Sequence, residues 1–209
     1  VEGRVAHSLH GYFLREGDTS VPVLYYVDRI RDGRSFATRR VVAKQHGKAI
    51  FNMSVSFQAP EEGLEHQAPM PEAPLPETVP TNYERLQAYK ERSSHPAIDF
   101  LLQLDRPIQR REVDHVDLLE PRAHTGMQRM CFRADGALGD DPVLHQAVLT
   151  YASYYGLLVS SFNTHVESFL TEKLIIASLD HAVWFHQPIR ADLWMLYATQ
   201  SPRTSGGRP

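Results

Sequence analysis

A single cysteine, Cys131, among 209 residues excludes an intrachain disulfide. Its setting in the alternating stretch "QRMCFRADG" predicts a strand in which the thiol is a small buried hydrophobe, suited to a reducing compartment. Long apolar runs are equally scarce: "KLIIASL" is broken within a few residues, far short of the roughly 18 needed to span a bilayer. An excess of one charge is also lacking. With 22 basic and 25 acidic side chains interspersed, net −3, the chain has no cationic field to gather nucleic acid or a membrane surface, and neither is expected as a partner. There is no Gly-x-Ser-x-Gly elbow, Walker loop or Gly-x-Gly-x-x-Gly turn, so the corresponding serine hydrolase, nucleotide hydrolase and dinucleotide enzyme motifs are excluded. No secretory leader opens the chain at Val1 and no address is legible in "SGGRP"; both ends are expected to be cut.

What is present is material for a sheet. At 42% hydrophobic residues the chain can bury a core, and residues 1–58 read as strands rich in Val, Tyr, Phe and Ile, separated by "EGDTS", "RDGRS" and "QHGK". They predict an antiparallel meander. Six prolines at 60, 69, 71, 74, 76 and 80 then make a surface linker, because proline cannot donate to a ladder. Asn82 is the predicted cap of a short helix, "NYERLQAYKERS", with a second over "PAIDFLLQL". "IQRREVDHVDL" and "GMQRMCFRADGAL" alternate as half-buried strands do.

The clearest helix is "DDPVLHQAVLTYASYYGLLVSSF", capped by Asp141 with Pro142 at its first position. Its predicted buried face is Val143, Ala147, Val148, Tyr151, Ala152 and Tyr155. "KLIIASLDHAVWFH" and "DLWMLYATQS" are predicted as strands joined by the turn "QPIRAD".

The beginning and end of the chain run in parallel. Ser8-Leu9-His10 matches Ser178-Leu179-Asp180, and after a short gap Tyr12-Phe13 falls on Trp184-Phe185. Tyr26 then lies near Tyr197 and Arg34-Ser35 against Arg203-Thr204, at an offset of about 170. The preserved order of strand, turn, strand and turn predicts two copies of one α+β unit. This is a double hot-dog, two antiparallel sheets each wrapping a helix. Symmetry then predicts an N-terminal strand and helix before Val1. The expected divisions are 1–59, a partial first repeat; 60–106, a Pro-rich linker with short helices; and 107–209, an incomplete second repeat.

"SLDHAVWFHQPIRADLWMLY" with "SPRTSGGR", and "HSLHGYFLREGD" with the strands that follow it, resemble the acyl-CoA thioesterase II family, TesB-like and peroxisomal. The resemblance covers nearly all of the chain outside the linker. It implies hydrolysis of an acyl-CoA to free acid and coenzyme A, by a water held between an aspartate, a Thr or Ser, and a glutamine. The motif's aspartate corresponds to Asp180 and its hydroxyl residue to Thr204. Its glutamine belongs to a strand that this sequence does not include. Gln58 marks the equivalent place in the first repeat, where His10 stands for the aspartate, so that site is expected to be vestigial.

The chemistry suits the residues: a thioester carbonyl accepts direct attack by water if a carboxylate takes the proton, and no cofactor or covalent intermediate is needed. His181, Trp184, Arg203 and Gln58 are the candidate substrate-binding residues. By residue type alone, Asp180 could simply pair with His181 or Arg203, and Trp184, Phe185 and Trp194 could be core. His181 and His186, like His7 and His10, are spaced to face opposite sides of a strand, so no metal is expected. Arg39, Arg40, Lys44 and Lys48 could meet coenzyme A phosphates or form a solvated strand face. Two other functions fit: a hot-dog hydratase or dehydratase using Asp180 with His186, set ~20 Å apart on a straight strand, or a non-catalytic acyl-CoA-binding or interaction module. A homo-oligomer is expected, in the cytoplasm, or in the peroxisome of a eukaryote.

Overall fold

The structure, a computed structural model, describes residues 1–104, 107–124, 126–165 and 176–207. In chain order the strands are β1 (Val5–Phe13), β2 (Leu24–Asp32), β3 (Phe36–Gln45), β4 (Lys48–Gln58), β5 (Ile108–Glu112), β6 (Gln128–Ala134), β7 (Asp180–Trp184) and β8 (Met195–Thr199). The helices are α1 (Asn82–Arg92), α2 (Pro96–Gln103), α3 (Pro142–Ser153) and α4 (Leu157–Phe162). The chain divides into two compact units, Val1–Gln67 with Ile176–Ile189, and Ala68–Ile175 with Arg190–Pro209. The boundaries do not follow the division expected from sequence, because β7, from the stretch assigned to the second repeat, completes the sheet of the first unit.

That first sheet is antiparallel, in the order β2-β3-β4-β1-β7. The predicted meander therefore holds for β2, β3 and β4, whereas β1 pairs with β4 rather than with β2. The turns explain it. "QHGK" closes a two-residue hairpin in which His46 (φ 48) and Gly47 (φ 73) both have positive φ, matching the twist of the strands. The segment after β1 is instead a crossover, pinned by Gln45, whose buried amide donates to the carbonyls of Asp18 and Val21, both at 2.7 Å. Ala37, Ala43 and Val55 are the buried hydrophobic residues of this sheet. Every residue of β2, at the edge, is exposed. No helix is described within this unit.

The second unit has a three-stranded antiparallel sheet, β5-β6-β8. Helix α3 packs on it through Val148, Leu149, Ala152 and the following Tyr155, against Ile108, Phe132, Met195 and Tyr197. Asp141 caps α3 as expected, accepting from Val143 N at 2.9 Å, with Pro142 at the first position. The buried face differs from the prediction: His145 is buried, while Val143 and Tyr151 are exposed. The expected single helix over 140–162 is also interrupted. Gly156 takes φ 85, a left-handed conformation that ends one helix and opens the next. Cys131 is buried in β6, as predicted.

α1 and α2 form a separate small core of Leu86, Tyr89 and Ile98, with Leu101, Leu102, Leu118 and Leu119 packed against it. The cap of α1 is Thr81, not Asn82: the Thr81 hydroxyl accepts from Glu84 N and the Glu84 carboxylate accepts from Thr81 N, a reciprocal capping box. Of the predicted strand "KLIIASLDHAVWFH", only Asp180–Trp184 is strand; residues 173–175 lie outside the described residues. Among the described residues, no helix is long and apolar enough to cross a membrane.

Candidate active site

The register between β1 and β7 sets the geometry. It runs from Ser8↔Trp184 to Tyr12↔Asp180, with His10 opposite Ala182 and Gly11 opposite His181. Residues directly opposite share a face, so Ser8, His10 and Tyr12 lie with Asp180, Ala182 and Trp184 on one side, and His181 lies on the other.

His10 and Asp180 are diagonal neighbours, within reach of long side chains, and they meet: His10 Nε2 donates to Asp180 Oδ2 at 2.9 Å. An ionised carboxylate is acceptor only, which assigns the proton to Nε2. Side-chain exposures are 42% for His10 and 50% for Asp180, so the pair is open to water. The Tyr12 ring lies 4.5 Å from the His10 ring, centroid to centroid, and limits its swing. Beneath them β1 has a glycine for a reason: a Cβ on Gly11 would stand 2.7 Å from Phe51 Cζ, so the Phe51 ring occupies the side-chain space of residue 11.

The other expected residues are placed as follows. Asp180 pairs with His10, which corrects the plain reading of a partner at His181 or Arg203, and gives His10 a contact that the expectation of a vestigial site did not. Burial lowers the pKa of His181, opposed by the charge of Asp180. Trp184 is 63% exposed, so it is not core, while Phe185 and Trp194 are partly buried. Trp194 is instead gripped by Arg133 and Arg111, at 4.6 and 5.4 Å from its ring. Gln58 ends β4 four residues beyond Ser54, the partner of His10, hence roughly 13 Å along the strand. Its amide donates to Glu61 Oε1 at 2.6 Å. Thr204 and Arg203 belong to the second unit and are exposed; the Thr204 hydroxyl is 3.3 Å from that of the buried Ser161. His186 lies beyond the end of β7 and is exposed.

The candidate phosphate-binding cations are largely occupied. Arg39 pairs with Asp32, Arg40 donates to Asp28 at 2.8 Å, and Lys44 lies 4.6 Å over the Tyr26 ring. Among the described residues no cluster of His, Cys, Asp or Glu could hold a metal ion.

Sequence reasoning missed two further histidines. His145, 2% exposed, accepts from Ala191 N at 3.1 Å and donates to Gly139 O at 2.8 Å, tying α3 to the entry of β8. His115 bridges Tyr89 Oη at 2.7 Å and Glu112 Oε2 at 2.8 Å. Only the expected repeat could have pointed to the contact with Asp180, since it matches His10 to that residue.

Solved structures first define the class. A conserved protein of unknown function with a hot-dog fold from Alicyclobacillus acidocaldarius superposes with TM-score 0.70 over 96% of this chain and 68% of its own, at 16% identity, a likeness of fold alone. The acyl-CoA thioesterase II TesB2 of Mycobacterium marinum superposes with TM-score 0.77 at 41% identity, over 99% of this chain and 72% of its own. Sequence narrows this further. The family model for acyl-CoA thioesterase matches residues 103–209 and that for the acyl-CoA thioesterase N-terminal domain matches residues 1–58. Acyl-coenzyme A thioesterase 8 of Mus musculus is 40% identical over 97% of this chain. The chain spans 65% of the length of that mouse relative. This α+β chain, with its sheets in the hot-dog manner, belongs to the acyl-CoA thioesterase family.

Proposed function

We propose that the protein hydrolyses acyl-CoA thioesters, with Asp180 as the base. The observation that carries this reading is the open carboxylate of Asp180 held by His10 at 2.9 Å, at the motif position where the family's aspartate falls. A water beside the free oxygen attacks the thioester carbonyl carbon as its proton passes to Asp180. The tetrahedral intermediate then expels the coenzyme A thiolate, which recovers that proton. His10 donates throughout and keeps the carboxylate in one orientation.

Thr204 is proposed to orient the water, and His181, Trp184, Arg203 and Gln58 to contact substrate. These roles rest on the motif, and the exposed indole of Trp184 on the same strand face as Asp180 supports its share. No cofactor enters the reaction. The hydratase reading gains nothing, because Asp180 is partnered by His10 and His186 lies outside β7. We place the protein in a reducing compartment, cytoplasm or peroxisome, in keeping with its buried free thiol. It is proposed to self-associate through the exposed β2 edge, which carries Tyr25, Val27 and Ile30 at 55% exposure or more.

The test is thiol release from short-, medium- and long-chain acyl-CoAs by the whole protein. Saturable release from at least one is expected; no release from any, with hydration of an enoyl-CoA instead, would reverse the assignment.

A further inference from the structure

The proline-rich stretch is both acidic and patterned. From Ala49 to Glu84 the sequence has six glutamates, at 61, 62, 65, 72, 77 and 84, and no lysine or arginine. Pro71 and Pro74 stand three apart and are followed by Leu75 and Pro76. A polyproline II helix has three residues per turn, so prolines at that spacing share one edge and Leu75 turns to the next. Leu75 has φ −59 and ψ 134, within that conformation.

Two arginines of the second unit fix the stretch in place. Arg129, on β6, donates to the Glu72 carbonyl, and Arg111, on β5, donates to the Val79 carbonyl at 2.5 Å. Arg111 pairs with Cys131, two residues from Arg129, so both arginines lie on the face of the sheet opposite Phe132 and α3. Val79 is buried beside its anchor, and the Leu75 carbonyl accepts from Thr78 N at 3.0 Å to close a turn. Between the two anchors Glu72, Ala73, Pro74 and Leu75 are exposed, Leu75 at 72%, and Met70 just ahead of them is 73% exposed. A tether needs only length and solubility. An extended rod held at both ends with proline, leucine and methionine outward is the shape an aromatic groove reads, with its ordering entropy already spent.

We propose that residues 70–76 are a docking segment for a partner domain whose groove is lined by aromatic rings and rimmed by basic side chains. Pro74 and Leu75 enter the groove, Met70 extends the contact, and Glu72 and Glu77 meet the rim. This role is independent of the chemistry given to Asp180.

The test is calorimetric titration of the whole protein into a panel of isolated WW and SH3 domains, some with basic and some with acidic groove rims. Saturable binding to at least one basic-rimmed domain is expected, weakened about tenfold in the double variant Pro74→Ala/Leu75→Ala and about threefold in Glu72→Gln. A free peptide of residues 68–80, which lacks the arginine anchors, should bind about tenfold more weakly than the protein. Melting temperature and acyl-CoA hydrolysis should stay at wild-type values in the double variant, which separates a lost contact from a lost fold. No binding to any domain, equal binding by the folded double variant, preference for acidic rims, or a peptide that binds as tightly as the protein would overturn the proposal. So would a self-associated species that the double substitution dissociates, since the segment would then serve a second copy of the chain.

Discussion

The two units use the same residue types in opposite ways. In the first, His10 and Asp180 meet at 2.9 Å with close to half of each side chain exposed. In the second, His145 is 2% exposed with both ring nitrogens bonded, and His115 sits between Tyr89 and Glu112 with both of its own engaged. A buried polar group must have every hydrogen bond made, and once all are made it holds elements together but has no lone pair to offer a substrate. A half-exposed pair contributes little to stability and leaves one carboxylate oxygen for a water. Burial thus separates His145, which holds the fold, from the histidine that holds a base.

That contrast can be broken. His145→Ala leaves Ala191 N–H without a partner inside the second unit, and a loss of about 2–3 kcal/mol is expected in denaturant unfolding, with kcat of the folded fraction unchanged. Tyr89→Phe removes the hydroxyl that accepts from Leu118 N at 3.0 Å and contacts His115, for an expected loss of about 1–2 kcal/mol. A stability equal to wild type in both would remove the distinction. His10→Ala should do the reverse: stability within about 0.5 kcal/mol of wild type, with kcat reduced about fivefold as Asp180 loses its orientation.

The smallest effect concerns pH. The hydrogen bond from the Arg129 guanidinium holds the Asp114 carboxyl below its ordinary 3.8, against the opposing effect of burial. A depressed carboxyl contributes stability that is present above 3.8 and is lost as pH falls through its lower folded value. Asp114→Asn should therefore flatten the acid side of the stability curve below about pH 4 and leave neutral pH behaviour near a constant offset, as read by unfolding at a series of pH values.

Much of this was legible in the sequence because it depended on local rules. The Asp141-Pro142 start of α3, the hairpin turn at "QHGK" and the alternating β5 and β6 each follow from a few neighbouring residues. What failed depended on distant partners. The pairing of β1 with β4 and β7 is a long-range choice, and no window around residue 12 contains it. The buried face of α3 turned on His145, whose polar ring reads as surface until Ala191 and Gly139 are seen to saturate it. Thr81 displaced Asn82 as cap because Glu84 answers at the spacing a capping box needs from Thr81. At the site, the motif singled out Asp180, while its partner within the sheet was missed. That partner is His10, the residue matched to it near the start of the chain, hidden until β1 and β7 were seen to pair.

The central claim, that Asp180 works as a base rather than as a strand anchor, meets its most direct test in the Asp180→Asn variant of the whole protein. Steady-state hydrolysis of the best acyl-CoA substrate should show kcat lowered by about 10²–10⁴-fold, the range of a positioned general base, with the melting temperature unchanged. A kcat close to that of wild type, or a variant that loses its fold instead of its activity, would contradict it.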